Sequence, residues 1–324
     1  MRGKSGCKRL AALAMLGLWL AATPVRAGYN EGLAALQKND FPLAIKELTP
    51  AAKAGNTLAQ VRLAEIYFNG GNGVDRNIAT GMEWLRKAAA GGNVDAVFFL
   101  GQILLTGGLG QTKDVPEAVR LLELLITKAN DQRAMALLAP VYLQGAGVAK
   151  NEARAVALYR KLGELGNGAA WRVMAGLASE DQAGLSKTQI VEFLKKAIAL
   201  GDVASHLYLG QLYLQGVSVA KDEQEGVRLV QLAADGGDFN AMMILANLYL
   251  AGAGGLGTDN QQALKWLSIV LNRAPQGDVY FQASMAAQDV RKHMSSASIA
   301  RAQEEAGKWQ ARSLTASAPA AHKP

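Results

Sequence analysis

Residues 59–92 have the sequence AQVRLAEIYFNGGNGVDRNIATGMEWLRKAAAGG, and related copies follow one another along most of the chain. Residues that can cap a helix recur at spacings of 35 to 37 residues, at Asp40, Asn77, Asp114, Asn151, Ser186, Asp222 and Asp259. Four positions after each cap stands a small residue in every copy but one, at Ala44, Gly81, Ala118, Ala155, Ile190, Gly226 and Ala263. A fixed period in this range is typical of stacked repeats. The sequence therefore predicts an all-α solenoid with one continuous core.

Each repeat contains the patterns of two helices, and each cap is predicted to begin the second. The first helix follows A-x-x-x-L-G-x-x-Y, whose offsets of 4, 5 and 8 share one helical face. Its copies are Ala59, Leu63, Ala64, Tyr67; Ala96, Leu100, Gly101, Leu104; Ala134, Leu138, Ala139, Tyr142; Ala170, Met174, Ala175, Ala178; Ser205, Leu209, Gly210, Tyr213; and Ala241, Leu245, Ala246, Tyr249. The small residue beside each Leu or Met lets a neighbouring helix approach closely.

The fourth of these copies departs from the pattern. It lacks the Tyr and the glycine-rich turn, and Ser179–Gly184 stand in their place. Ser186 and Gln189 form a predicted capping box, so the second helix still begins on schedule. The stretch from Arg172 to Gly184 is therefore where this chain should differ most from a generic repeat protein.

The repeated pattern, continued by G-x-G-V and A-x-x-W-x-x-x-A-A-x-x-G, resembles the Sel-1-like repeat, a relative of the tetratricopeptide repeat. The resemblance covers about Tyr29 to Ala274, and Met294 to Trp309 look like the C-terminal cap common in that family. It implies a right-handed α-α superhelix of helix pairs that contacts other proteins, and it implies no single ligand.

Four segments follow from these patterns. We expect a signal peptide over 1–27, a solenoid of about seven helix pairs over 28–274, capping helices over 275–313 and a disordered tail over 314–324. The signal has a basic start, 13 apolar residues from Leu10 to Ala22 and a small-residue exit at Ala27. An apolar stretch of that length is too short to span a bilayer. The protein is therefore expected to cross the inner membrane and to be periplasmic, with no membrane-spanning segment in the mature chain.

The formal charge of +7 comes largely from the predicted signal. Residues 1–27 hold five of the 34 basic residues and no acid, so cleavage leaves 29 basic against 27 acidic residues. A near-neutral mature chain gives no reason to expect nucleic acid as a partner. Cys7, the single cysteine, also lies in the signal, which excludes disulfides and thiolate chemistry from the mature protein.

No pattern points to an enzyme, a cofactor or a metal. The segment from Gly252 to Gly257 matches G-x-G-x-x-G but follows a predicted helix instead of a strand, so it is interpreted as a turn. His206, His293 and His322 lie in separate regions without a second ligand at metal spacing. We therefore predict a protein that is not an enzyme.

Candidate binding residues follow from the predicted geometry. First helices should line the concave side, with outward positions two residues either side of the reference Leu or Met and five after it. The candidates are Glu65, Phe68, Phe98, Gln102, Leu105, Leu143, Arg172, Gln211, Leu214, Met243, Asn247 and Leu250. With Arg172 as its one cation, this surface suits an amphipathic helix or an extended polypeptide better than a peptide carboxylate. The alternative is that its apolar rows only pack the superhelix.

The resulting hypothesis is an exported periplasmic scaffold that mediates protein–protein interactions in a cell-envelope complex. One alternative is an accessory protein for exopolysaccharide export or a regulator of cell-wall lytic enzymes. Another is an enzyme acting on peptidoglycan.

Overall fold

The computed structural model describes residues 28–314, which are all-helical and contain no β-strand. The predicted signal and residues 315–324 of the predicted tail lie outside the described residues. The chain divides into two compact units, of which unit 1 ends at Lys150 and unit 2 begins at Asn151.

The described residues of unit 1 form seven helices. They are α1 (residues 28–37), α2 (Phe41–Lys53), α3 (Thr57–Asn69), α4 (Ile78–Ala90), α5 (Val94–Thr106), α6 (Val115–Ala129) and α7 (Gln132–Gln144), with a 3₁₀ turn at Gly108–Gly110. Its core includes Leu48 and Leu63, both fully buried. From α2 to α7, each helix packs against the next.

Within residues 151–314, unit 2 contains nine helices and a second 3₁₀ turn at Lys187–Gln189. They are α8 (Glu152–Glu164), α9 (Gly168–Ser179), α10 (Ile190–Ala199), α11 (Val203–Gln215), α12 (Glu223–Asp235), α13 (Phe239–Ala251), α14 (Asn260–Arg273), α15 (Asp278–Arg291) and α16 (Ser296–Lys308). Trp266 and Leu245 lie in a buried cluster formed largely by α12 to α16.

Six of the seven predicted caps form the same hydrogen bond. The side chain of each accepts a hydrogen bond of 2.9 to 3.1 Å from the backbone N–H three residues later. That N–H has no acceptor within the helix, so the cap supplies one. The small residues four positions later are buried where the two helices of a pair meet, as at Ala44 and Ala118. Local sequence thus fixes where each second helix begins.

Ser186 differs from the other caps. The predicted capping box between Ser186 and Gln189 is present, with the Ser186 N–H donating to Gln189 Oε1 at 3.0 Å, and the Ser186 hydroxyl also hydrogen-bonds Thr188 Oγ1 at 2.6 Å. The turn that follows is 3₁₀, and α10 begins only at Ile190 with ten residues. The predicted start is therefore present, but it leads into a shorter helix.

Residues 309–314, which follow α16, contact the helices of unit 2. Arg273 Nη2 donates to the Trp309 carbonyl at 2.8 Å, and the Arg312 N–H donates to the Asp235 carbonyl at 2.8 Å. Ala302 is fully buried and Trp309 packs beside the same core. Among residues 28–314, no helix has both the length and the apolar character needed to cross a membrane.

Candidate functional site

A groove of about 250 Å³ lies between the first helices α3 and α5 of unit 1. The residues along this α3/α5 groove are mostly apolar: Val61, Ala64, Glu65, Phe68, Asn69, Leu85, Phe99, Ile103 and Leu109. Phe68 packs onto Gly81 of α4, where an added Cβ would lie 2.5 Å from two ring carbons. Glycine at position 81 therefore creates the space that the ring fills.

Two adjacent phenylalanines on α5 have different surroundings. Phe99 lines the α3/α5 groove and is 46% exposed, whereas the Phe98 ring lies 4.6 Å from the Arg133 guanidinium of α7. Arg133 also bonds Asp131 and Asp95, each at 2.8 Å, and these carboxylates raise the pKa of Arg133. Phe98 thus belongs to the contact between α5 and α7, and Phe99 is the aromatic residue open to a ligand.

A second groove, of about 460 Å³, lies between the first helices α9 and α11 of unit 2. Residues along this α9/α11 groove are Arg172, Val173, Gly176, Leu177 and Glu180 from α9 and its C-cap, and Ala204, Leu207, Tyr208 and Gln211 from α11. A Cβ added at Gly176 would meet no atom within 4 Å. Glycine at this position therefore leaves open space in the groove and is not required by a close contact between helices.

Arg172 is held by an ion pair. Its Nε donates to Asp202 Oδ2 at 2.9 Å. Asp202 also caps α11, because the same oxygen accepts the Ser205 N–H at 3.0 Å and the Ser205 hydroxyl at 2.6 Å. A single carboxylate therefore both starts α11 and neutralises the Arg172 charge.

A family model for the Sel1 repeat matches residues 57–93, 94–130, 132–167, 203–238 and 240–269, which is more than half of the chain. The chain belongs to the Sel1-repeat family. Its fold class is accordingly the α-α superhelix of Sel1 solenoids, as the sequence predicted. Proteins built from Sel1 repeats generally act as scaffolds for protein–protein interaction.

The solved structures that resemble the chain include two Sel1-repeat proteins. One is a protective antigen of uropathogenic Escherichia coli, 26% identical, with a TM-score of 0.61 over 88% of this chain and 60% of that chain. This chain thus corresponds to less than two thirds of the antigen's length. The other, a Sel1-repeat protein from Oxalobacter formigenes, is 23% identical, with a TM-score of 0.56 over 78% of this chain and 98% of that chain, and it supports the fold alone. No curated protein matches the chain.

Residues 168–202 fall between two matched Sel1 repeats. They contain α9 and α10, the pair that lacks the Tyr and the glycine turn. The α9/α11 groove therefore lies between an atypical pair and a recognisable Sel1 repeat. This is the stretch in which the sequence predicted a departure from the family.

Four of the twelve predicted surface residues line the two grooves. Glu65 and Phe68 line the α3/α5 groove, and Arg172 and Gln211 line the α9/α11 groove. The others lie outside these two grooves, either exposed or half-buried: Phe98, Gln102, Leu105, Leu143, Leu214, Met243, Asn247 and Leu250. Leu214, Met243 and Leu250 pack beside the core of unit 2, which agrees for them with the alternative that apolar rows hold the solenoid together.

Sequence reasoning missed the far wall of each groove. Phe99 and Tyr208 stand one residue before their reference Leu, and Ile103 stands three after it. Residues at these positions face the preceding first helix. An apolar or aromatic residue at these positions could have indicated the far wall. Glu180 was missed because it follows the last turn of α9, beyond the offsets considered.

His206 lies on the buried side of α11 and does not line the α9/α11 groove. It is 6% exposed, and its Nδ1 has no hydrogen-bond partner among residues 28–314. Burial lowers the pKa of His206. Within the same residues, no group of three His, Cys, Asp or Glu side chains is arranged to hold a metal ion.

Proposed function

We propose that this protein is an exported, periplasmic Sel1-repeat scaffold that mediates protein–protein interactions in a cell-envelope complex without catalysing a reaction. Its partners bind along the first helices, at the grooves and at the neighbouring predicted surface residues. Membership of the Sel1-repeat family supports the scaffold role. The signal-like composition of residues 1–27 supports export.

The observation that carries this proposal is the open apolar wall of the α3/α5 groove. Phe99 keeps nearly half of its surface exposed beside a recess lined by Phe68, Ile103 and Leu109. Leaving a large aromatic ring in water forgoes the stabilisation that burial would give. Aromatic anchors beside apolar recesses are typical of the residues that dominate protein–protein affinity.

Partner capture tests the scaffold role. A photo-crosslinking residue at Ile103, in the full-length protein in its native envelope, should yield a defined protein adduct identifiable by mass spectrometry. The same protein with Phe99→Glu should lose about tenfold or more of that adduct, as expected for a central hot spot.

Phe281→Glu is the matched control, because Phe281 is also an exposed phenylalanine but lies on α15, outside the groove. Both variants should keep the helical content and melting temperature of the wild type. Equal adduct yields from the wild type and Phe99→Glu would show that the groove is not the binding surface.

Export is tested separately. Protein recovered from the periplasm should begin at Gly28 on N-terminal sequencing. Recovery of a chain that retains residues 1–27 among cytoplasmic proteins would contradict export and leave the groove experiment unaffected.

A further inference from the structure

Helix α9 ends differently from the other first helices. Five first helices of the described chain have glycine at the C-cap, at Gly70, Gly107, Gly145, Gly216 and Gly252. The C-cap of α9 is Glu180, with a φ of −97°. The atypical pair thus replaces a glycine with a carboxylate at the end of the α9/α11 groove.

This carboxylate stands where it does not help the helix. The C-terminal end of a helix carries partial negative charge, so an acidic side chain there is unfavourable. Glu180 is exposed and makes no ion pair with the described residues, whereas the adjacent Asp181 pairs with Lys187 at 3.2 Å. A local rule broken without compensation is expected mainly at functional positions.

The other charged residue of the groove is already neutralised. Arg172 pairs with Asp202 at 2.9 Å, so the two charges cancel and Glu180 leaves the groove with a net negative charge. Eight residues of helix separate Arg172 from Glu180, which corresponds to about 12 Å along the axis. The groove therefore has a neutral end, where Arg172 pairs with Asp202, and an acidic end at Glu180.

Between these ends lie polar groups suited to a polypeptide backbone. Tyr208 and Gln211 line the groove from α11, and their side chains make no hydrogen bond to any described residue. A hydroxyl and an amide can both donate and accept, as peptide groups require. Opposite them, Gly176 leaves open space, and about four residues of extended chain would span about 12 Å.

We infer that the α9/α11 groove binds an extended polypeptide segment that carries a Lys or Arg beside Glu180 and is otherwise uncharged. This inference rests on the proposed scaffold function and specifies one of its partners by chemistry. Glu180 favours a basic residue in the ligand. Arg172 is already paired with Asp202, so it does not favour an acidic residue.

A peptide selection tests the preference. Random heptapeptides displayed on phage are selected on the full-length wild type, on Glu180→Gln and on Glu180→Lys. The wild type should enrich Lys or Arg at one position about fivefold or more. The enrichment should disappear with Glu180→Gln and change to Asp or Glu with Glu180→Lys.

Glu83→Lys is the matched control, since Glu83 is exposed on α4 outside both grooves and the substitution changes the net charge equally. It should keep the wild-type enrichment. Glu180→Gln and Glu180→Lys should melt at or above the wild-type temperature, because they remove a negative charge from a helix C-terminus.

Identical basic enrichment by the wild type and Glu180→Lys would overturn the inference, as would selection of no peptides or of peptides without a charge preference. Any of these results, with the Phe99-dependent crosslink intact, would reject the charged groove and leave the scaffold function standing. If the peptide preference is intact but no Phe99-dependent crosslink forms, the α3/α5 groove is rejected as a binding surface and the charged α9/α11 groove is not.

Discussion

The α3/α5 and α9/α11 grooves occupy the same place between successive first helices but have opposite characters. Counted from Leu63 and Met174, the position five residues on is Phe68, which lines the α3/α5 groove, and Ser179, which does not line the α9/α11 groove. The position two residues on is Glu65 in one and Gly176 in the other. The first groove is filled from within by an aromatic ring, and the second is left open.

Charge also differs between the two grooves. Glu65 pairs with Arg62 at 2.7 Å, so the α3/α5 groove presents a compensated carboxylate, whereas Glu180 has no cation among the described residues. Helix pairing fixes the frame of both grooves, and the few side chains that face the gap fix their chemistry. A repeat architecture can thus hold different binding surfaces without changing its packing.

The largest expected difference concerns the aromatic filling. Phe68→Ala should lower the free energy of unfolding by about 2–3 kcal/mol, somewhat less than for a fully buried ring, because the contact with Gly81 is lost. The equivalent Ser179→Ala removes only a hydroxyl bonded to the Gly176 carbonyl at 2.7 Å and should cost less than about 1 kcal/mol. Urea unfolding of the full chain measures both, and equal losses would remove the distinction between filled and open grooves.

Gly176, which lines the α9/α11 groove, and Gly81, which packs under Phe68, should respond to alanine in opposite directions. Gly176→Ala should raise the free energy of unfolding by about 0.5–1 kcal/mol, because helical alanine is favoured and its Cβ meets open space. Gly81→Ala should lower it, because its Cβ would lie 2.5 Å from the Phe68 ring. Thermal unfolding of the two variants provides the measurement. Stabilisation by both would mean that Phe68 does not need the space at position 81.

The smallest expected effect is the contribution of His206, in unit 2, to the dependence of stability on pH. Burial lowers the pKa of His206, so the unfolded chain binds a proton more readily than the folded one, and stability falls as pH drops through the unfolded value of about 6.5. Unit 1, which contains no histidine, lacks this contribution. Between pH 8 and pH 5, the melting temperature should fall less for His206→Gln than for the wild type. An equal fall in both proteins would mean that groups other than His206 cause it.

Features that depend on neighbouring residues could be predicted from the sequence. Asp222 accepts the Glu225 N–H three residues away at 3.0 Å, so both partners of that cap lie in one short stretch. The buried small residues follow equally, because helical geometry alone places them beside the reference Leu or Met. The twelve surface candidates remain a prediction, and four of them line the two grooves.

The sequence by itself determined the repeat, the helix starts and the family, since each depends on contacts within a few residues or on a period. It also located the atypical stretch from Arg172 to Gly184. Only the tertiary structure decided which side of each helix faces a gap, because that depends on how one helix is rotated against another. Phe99 is therefore open while Phe98 is engaged, and Arg172 is paired with a residue 30 positions away. The free carboxylate of Glu180 acquires meaning only from the groove beside it.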